Sequence, residues 1–150
     1  MAQIADITVF DGAPTPVAHI LVAESVTRTG AVITATWREK LATVPDEAQV
    51  YAILRIEQLK SGVRVVSLET GVPVMESING QNSSGYTAPP KVAFVDRDVH
   101  TKYLHPRSTP LSRQLSAQIA RNLLNNVSTT TPAVTAGVVA DALHKALSPT

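Results

Sequence analysis

Through the first two thirds of the chain, apolar residues alternate with polar ones or gather in short β-branched runs. A period of two is the mark of strands with one buried face. Ile4–Phe10 and Val17–Ala23 are such segments, separated by Asp11-Gly12-Ala13-Pro14-Thr15-Pro16. Asp-Gly supplies a turn and the prolines stop further pairing, so the two are predicted to form a hairpin. Ala31–Arg38 alternates cleanly, with Ala31, Ile33, Ala35 and Trp37 on one face and Val32, Thr34, Thr36 and Arg38 on the other. After Pro45-Asp46, Glu47–Leu59 is the longest strand candidate, and its even positions Val50, Ala52, Leu54 and Ile56 are all apolar. Ser61-Gly62 then turns the chain into Val63–Glu69.

The alternation lapses from Thr70 to Pro90, a stretch containing Gly71, Pro73, Asn79-Gly80, Gly85 and Pro89-Pro90. An irregular segment this long exceeds an ordinary connection and is expected to be a functional loop. Strand character returns over Lys91–His105, where Asp96, Asp98, His100 and Lys102 share one face and Val95, Val99 and Tyr103 the other. The apolar set is expected to pack and the polar set to stay open. Beyond Pro106 the rhythm becomes helical. Thr109-Pro110 reads as an N-cap with proline at the first helical position. Leu111, Leu115, Ile119 and Leu123 then recur every four residues, joined by Ala120, Leu124 and Val127. Thr131-Pro132 repeats the device before a second stripe of Val134, Val138, Ala142, Leu143, Ala146 and Leu147. Neither cap has Glu or Gln at the third helical position, so neither is expected to form a capping box.

These elements predict an α+β fold in a single domain of 150 residues. An N-terminal β-hairpin (1–27) leads into an antiparallel β-sheet (28–106, with the long loop 70–90), and two C-terminal α-helices (107–150) pack on one sheet face. The other face, expected to carry Tyr51, Arg55 and His100, must meet solvent or a partner.

Composition narrows the chemistry. Apolar residues at 44% and charged residues at 17% rule out wholesale disorder. No apolar run nears the ~20 residues of a membrane span, and no basic-then-apolar leader opens the chain, so neither a transmembrane helix nor a Sec signal peptide is expected. With no cysteine there is no disulfide, thiol nucleophile, cysteine-ligated zinc or iron–sulfur cluster. Thirteen basic against twelve acidic residues give +1, far from the basicity of an autonomous nucleic-acid binder. The bases do gather late: Lys91, Arg97, Lys102, Arg107, Arg113, Arg121 and Lys145 face only Asp96, Asp98 and Asp141.

No catalytic residue, cofactor or metal is assigned. The chain lacks a G-x-S-x-G elbow, an H-E-x-x-H pair and a Gly-rich phosphate loop. Asp96-Arg97-Asp98 has no third ligand cluster, and His100 and His105 fall on opposite faces of a strand. Arg55 and Glu57 are same-face neighbours that suit a solvated ion pair worth ~0–1 kcal/mol. Tyr51 has two uses open to it, a packing residue on a sheet surface or a stacking ring.

Ile7-Thr8-Val9-Phe10-Asp11-Gly12-Ala13-Pro14-Thr15-Pro16-Val17, Trp37 in the next strand, the long strands and loop over 47–105, and Pro106-Arg107-Ser108-Thr109 before two helices form a recognisable series. In that series the chain resembles the coat proteins of single-stranded RNA bacteriophages, the leviviruses, over essentially its whole length. The resemblance implies a structural protein and not an enzyme. It implies an interlocked homodimer, sheets edge to edge with helices laid across the partner, assembling in the bacterial cytoplasm into an icosahedral virion shell. The 70–90 loop would meet its copies at symmetry axes, without the cysteine cross-links of some relatives. The sheet would face inward to the RNA and grip a stem-loop, giving packaging and translational repression. Carried over strand by strand, the RNA-binding candidates are Gln49, Tyr51, Arg55, Arg64, Asp98, His100 and Lys102. Leu111, Leu115, Ile119, Leu123, Val134, Val138 and Leu143 would form the dimer interface and core. Two rivals belong to other classes. One is a small dimeric enzyme or ligand-binding protein using Asp96, Asp98 and His100 as acid/base groups; the other is a dimeric RNA-binding repressor that makes no shell.

Overall fold

The alternating segments fold into one six-stranded antiparallel sheet whose strands follow one another in space as in sequence. They are β1 (Ile7–Phe10), β2 (Ala18–Thr29), β3 (Val32–Glu39), β4 (Tyr51–Gln58), β5 (Arg64–Met75) and β6 (Val92–Leu104). The computed structural model describes residues 3–76, 83–85, 91–128, 134 and 136–150. Local chemistry sets the turns. Between β1 and β2, the Asp11 carboxylate accepts from the backbone N–H groups of Val17 (2.8 Å) and Ala13 (3.3 Å). The Val17 bond, foremost, holds this carboxyl below the ordinary carboxylate range. Between β4 and β5, Gly62 takes φ +82°, which glycine adopts without strain, and its N–H returns to the Leu59 carbonyl (2.9 Å).

One face of the sheet is the core. Ala35 and Trp37 of β3, Ala52, Leu54 and Ile56 of β4, Val66 of β5 and Leu104 of β6 are buried there, against Ala142 and Leu143 near the C-terminus. A fully buried side chain such as Leu54 contributes ~1.5–3 kcal/mol. The Trp37 indole N–H donates to the Ala5 carbonyl (2.9 Å), and Ile4 N–H donates to the Thr150 carbonyl (2.8 Å), so both chain ends lie over this face.

Two strands differ from expectation. β4 begins at Tyr51 because Asp46–Ala48 forms a 3-10 turn. β5 continues past Glu69 to Met75, taking residues 70–75 out of the expected loop. The ladder with β4 ends at Tyr51 opposite Gly71, so Val72–Met75 has only β6 beside it. Pro73 therefore sits on a locally open edge, where its missing N–H costs no ladder bond. Of the remaining loop, 77–82 and 86–90 lie outside the described residues.

Helix α1 (Pro110–Leu124) is capped better than expected. Ser112 N–H donates to Thr109 Oγ1 (3.2 Å) and Thr109 N–H donates to Ser112 Oγ (3.1 Å). This is a full capping box with serine in the role of Glu or Gln. Its orientation is unusual. Arg113, Gln114, Ala117, Gln118 and Arg121 are half-buried towards the body, while Leu111, Leu115, Ile119 and Leu123 are exposed, Leu123 by 77%. An ordinary surface helix does the reverse. The expected second helix start, Thr131-Pro132, lies outside the described residues. Among these, α2 (Val138–Ala140) runs into a π-helical turn (Asp141–Lys145) that stops at Ala146, φ +57°. Leu143 is buried and Val138 packs against the core, whereas Val134 is exposed. No helix among the described residues is long and apolar enough to cross a membrane.

Candidate nucleic-acid interface

The sheet face opposite the core is uncovered, and strand register fixes its content. Arg38, Tyr51, Gly71 and Arg97 form one row across β3–β6; Thr36, Ile53, Glu69 and Val99 form the next. Thr34, Arg55, Ser67 and Thr101 follow, then Val32, Glu57, Val65 and Tyr103.

Tyr51 is the centre of this surface. A Cβ placed on Gly71 would stand 2.2 Å from the Tyr51 Cζ. The ring thus lies down on the bare backbone of β5, which only glycine permits. The phenol donates to Glu69 Oε1 (3.2 Å), and Arg97 Nη1 donates to the same oxygen (3.3 Å). Burial first, and then the Glu69 bond, push the phenol pKa up, so it remains a donor at neutral pH. An aromatic ring fixed flat on a sheet is a shelf on which a base can stack, an interaction worth ~1–3 kcal/mol. Arginines on either side of it in the same row suit phosphate oxygens.

The cations of this face are already engaged. Glu24 holds Lys40 (2.6 Å) and Arg38 (3.5 Å), Glu57 holds Arg55 (3.2 Å) and Glu69 holds Arg97. Lys40, more than Arg38, keeps the Glu24 carboxyl below its usual range. Exposed pairs of this kind are worth ~0–1 kcal/mol, so a phosphate can displace a carboxylate at little cost.

The candidates read from sequence divide between the two faces. Tyr51 and Arg55 lie on the uncovered one. Gln49 is buried and staples its own loop: Nε2 donates to the carbonyls of Val44 (2.7 Å) and Leu41 (2.8 Å), and Oε1 accepts from Leu41 N–H (3.1 Å). Arg64 donates to the Ala146 carbonyl and Lys102 to the Arg113 carbonyl, both on the helix side. His100 stands opposite Leu68, itself opposite the core residue Leu54, so Asp98 and His100 share that side. The faces of β6 are thus the reverse of the expectation: Val95, Val99 and Tyr103 join Tyr51, and the Asp96–Lys102 set faces the helices. The physical reason is that β6 is an edge strand, exposed along nearly all its length, so its apolar residues do not mark the core. Sequence reasoning missed Arg38, Lys40, Glu69, Gly71 and Arg97. The polar parity of β3 was the available signal, since Thr34, Thr36 and Arg38 mark the uncovered face.

Between α1 and the helix side of β5 and β6 lies a cleft of about 500 Å³, lined by Leu68, Asp98, His100, Lys102, Arg121 and Leu143. His100 Nε2 is 3.2 Å from Asp98 Oδ2, and both side chains are exposed. Asp96 does not line it. Among the described residues no group of three or more acidic or histidine side chains could hold a metal ion.

No protein-family model matches the sequence, and no curated protein matches it. Solved structures do. The virus-like particle of bacteriophage EMS014 matches at a TM-score of 0.73 with 26% identity, over 93% of this chain and 87% of that one. The coat protein of the same phage matches at 0.67 with 25% identity, over 89% and 82%. The virus-like particle of Beihai levi-like virus 21 shares the fold at 0.64 with 18% identity, over 89% and 99%. Given these matches, the six-stranded meander, the Asp11–Val17 turn and the helices that follow the sheet, the chain is a phage capsid protein similar to the coat proteins of levi-like bacteriophages.

Proposed function

We propose that this capsid protein works as an interlocked two-fold dimer that tiles an icosahedral shell around single-stranded RNA, its uncovered sheet face turned towards the RNA. The observation that carries the dimer is the reversed helix α1. Leu111, Leu115, Ile119 and Leu123 form a contiguous exposed apolar stripe, which a soluble monomer rarely presents. A second copy laid across it turns the stripe into an interface core. Particles named for phage EMS014 support closure into a shell.

RNA meets the protein through Tyr51 as the stacking shelf and through Arg38, Arg55 and Arg97 as phosphate partners. A genomic stem-loop held there serves packaging and translational repression. Gln49, Arg64, Asp98, His100 and Lys102 drop out of the interface because their side chains serve the core or the helix side. Residues 1–150 act as one coat domain, assembling in the host cytoplasm, with the segment between β5 and β6 at contacts between dimers.

Negative-stain electron microscopy of the recombinant protein tests this directly. Uniform closed particles whose ultraviolet spectrum shows enclosed RNA are expected. Monomers or dimers alone, across a range of salt and added RNA, would overturn the shell reading.

A further inference from the structure

The cleft between α1 and the helix side of the sheet joins two kinds of wall. Leu68 of β5, Leu124 of α1, and Val139 and Leu143 near the C-terminus make one part apolar. Lys102 of β6 and Arg121 of α1 bring positive charge to the other. The volume of about 500 Å³ lies in the ordinary range of small-molecule sites, ~300–1,000 Å³. Asp98 is the one carboxylate among the lining residues. It pairs with His100 (3.2 Å), and its side chain is 72% exposed, which puts it at the rim.

The positive charges bring no anion of their own. Lys102 donates to the Arg113 carbonyl, and neither it nor Arg121 is paired with a carboxylate among the described residues. Arg113 stands beside them and spends its guanidinium on neutral oxygens. Nε donates to Ser108 Oγ (2.7 Å), Nη1 to the His144 carbonyl (3.3 Å) and Nη2 to the His105 carbonyl (3.3 Å). The buried His144 ring borders the same cations, with neither nitrogen hydrogen-bonded among the described residues. Burial, then Arg121 and Arg113, push the Lys102 pKa down, as happens to a cation held without a counter-charge. Charges withdrawn from water are normally paired.

We propose that this cleft binds a phosphate monoester with an apolar body, its phosphate on Lys102 and Arg121 and its body against Leu68, Leu124, Val139 and Leu143. A dianion suits the site better than a carboxylate, because two uncompensated cations line it with Arg113 behind them. Lysine and arginine donors also match phosphate oxygens. The apolar wall adds affinity that inorganic phosphate cannot use. This surface is separate from the uncovered sheet face, since it lies on the helix side. It is separate from the Leu111–Leu123 stripe as well, because that stripe is on the outward side of α1.

Calorimetric titration of the full chain, freed of RNA, with naphthyl phosphate as the probe tests this. Inorganic phosphate and naphthol, the two halves of the probe, should each bind at least about tenfold more weakly than the whole. Arg121→Gln and Lys102→Met should each weaken the probe at least about tenfold, the usual loss when a charge-assisted hydrogen bond is removed. Arg55→Gln, on the uncovered sheet face, should leave probe binding unchanged. Equal binding of inorganic phosphate and the probe would overturn the proposal, since the apolar wall would then contribute nothing. Weakening by Arg55→Gln but not by Arg121→Gln would overturn it too, placing the phosphate on the other sheet face. Arg121 lies in the last turn of α1, where glutamine is also a good helix former, so the test stands even if Lys102→Met fails to fold.

Discussion

Gly71 does its work by lacking a methyl group. Tyr51 occupies the space where a Cβ would be, so Gly71→Ala must lift the ring off β5 and break its bond to Glu69. Because the ring tip is free to swing outward, the fold should survive with its melting temperature within a few degrees, roughly 1 kcal/mol. RNA retention in a filter assay should fall several-fold, given the ~1–3 kcal/mol of a stacked base. Unchanged retention would move the stacking shelf elsewhere. A second residue sets a pH limit. His144 is 2% exposed, and neither ring nitrogen has a hydrogen-bond partner among the described residues. Around it lie Lys102 of β6, Arg121 of α1 and its neighbour Lys145, with Asp141 paired to Lys145 (2.7 Å). Arg113 Nη1 donates to its carbonyl (3.3 Å). Burial, and then Lys102, hold the imidazole below its ordinary value, so in the folded chain it is neutral at pH 7 and takes up its proton only at lower pH than in the unfolded chain. The unfolded chain then binds the extra proton. Stability is fully present above about pH 6.5 and declines as pH falls through the folded-state value. Chemical denaturation from pH 7.5 to 5 should show that decline in the wild type and flatten it in His144→Phe. Equal slopes would remove His144 as the cause.

At the scale of elements, α1 separates folding from association. Leu115 and Ile119 touch little within their own chain, so the double variant Leu115→Ala, Ile119→Ala should leave the isolated subunit's stability nearly unchanged. Its dimer should lose ~2–5 kcal/mol per side chain that the partner buries, seen as a higher dissociation constant in sedimentation equilibrium. Loss of subunit stability with intact dimerisation would reverse this assignment of faces. The same distinction explains what the sequence made legible. β1 to β4 were readable because alternation reports burial directly, and α1 because a four-residue stripe marks a helix, although that stripe faces outward. Gly71 and Pro73 read as loop breakers, yet Tyr51 needs the first, and the second sits where β4 has ended. β6 misled because its apolar residues serve a face without a core beneath it. Leu104, buried and of the same parity as Lys102, was the one residue on that strand whose burial marks the core side. The candidates on β5 and β6 share that parity and stand on the helix side, and Gln49 serves a loop whose demand for hydrogen bonds leaves no periodic trace.

For the whole molecule, a net charge of +1 means that RNA cannot be held by bulk attraction. The uncovered face sets Arg38, Lys40, Arg55 and Arg97 against Glu24, Glu57 and Glu69, so in the proposed RNA-binding role each phosphate would exchange with a carboxylate. Many weak exchanges repeated over a closed shell add up through effective concentration, without any subunit binding tightly alone. The unequal edges of the sheet have a further effect. If β6 could dock on β1, head would follow tail and the sheet would run on as a fibre. A four-residue β1, closed by a proline-bearing turn, offers too little backbone to prolong such growth. Head-to-tail sheet extension is therefore blocked at the β1 edge, so the chain can be crowded to the concentrations that shell building demands without polymerising into amyloid-like ribbons.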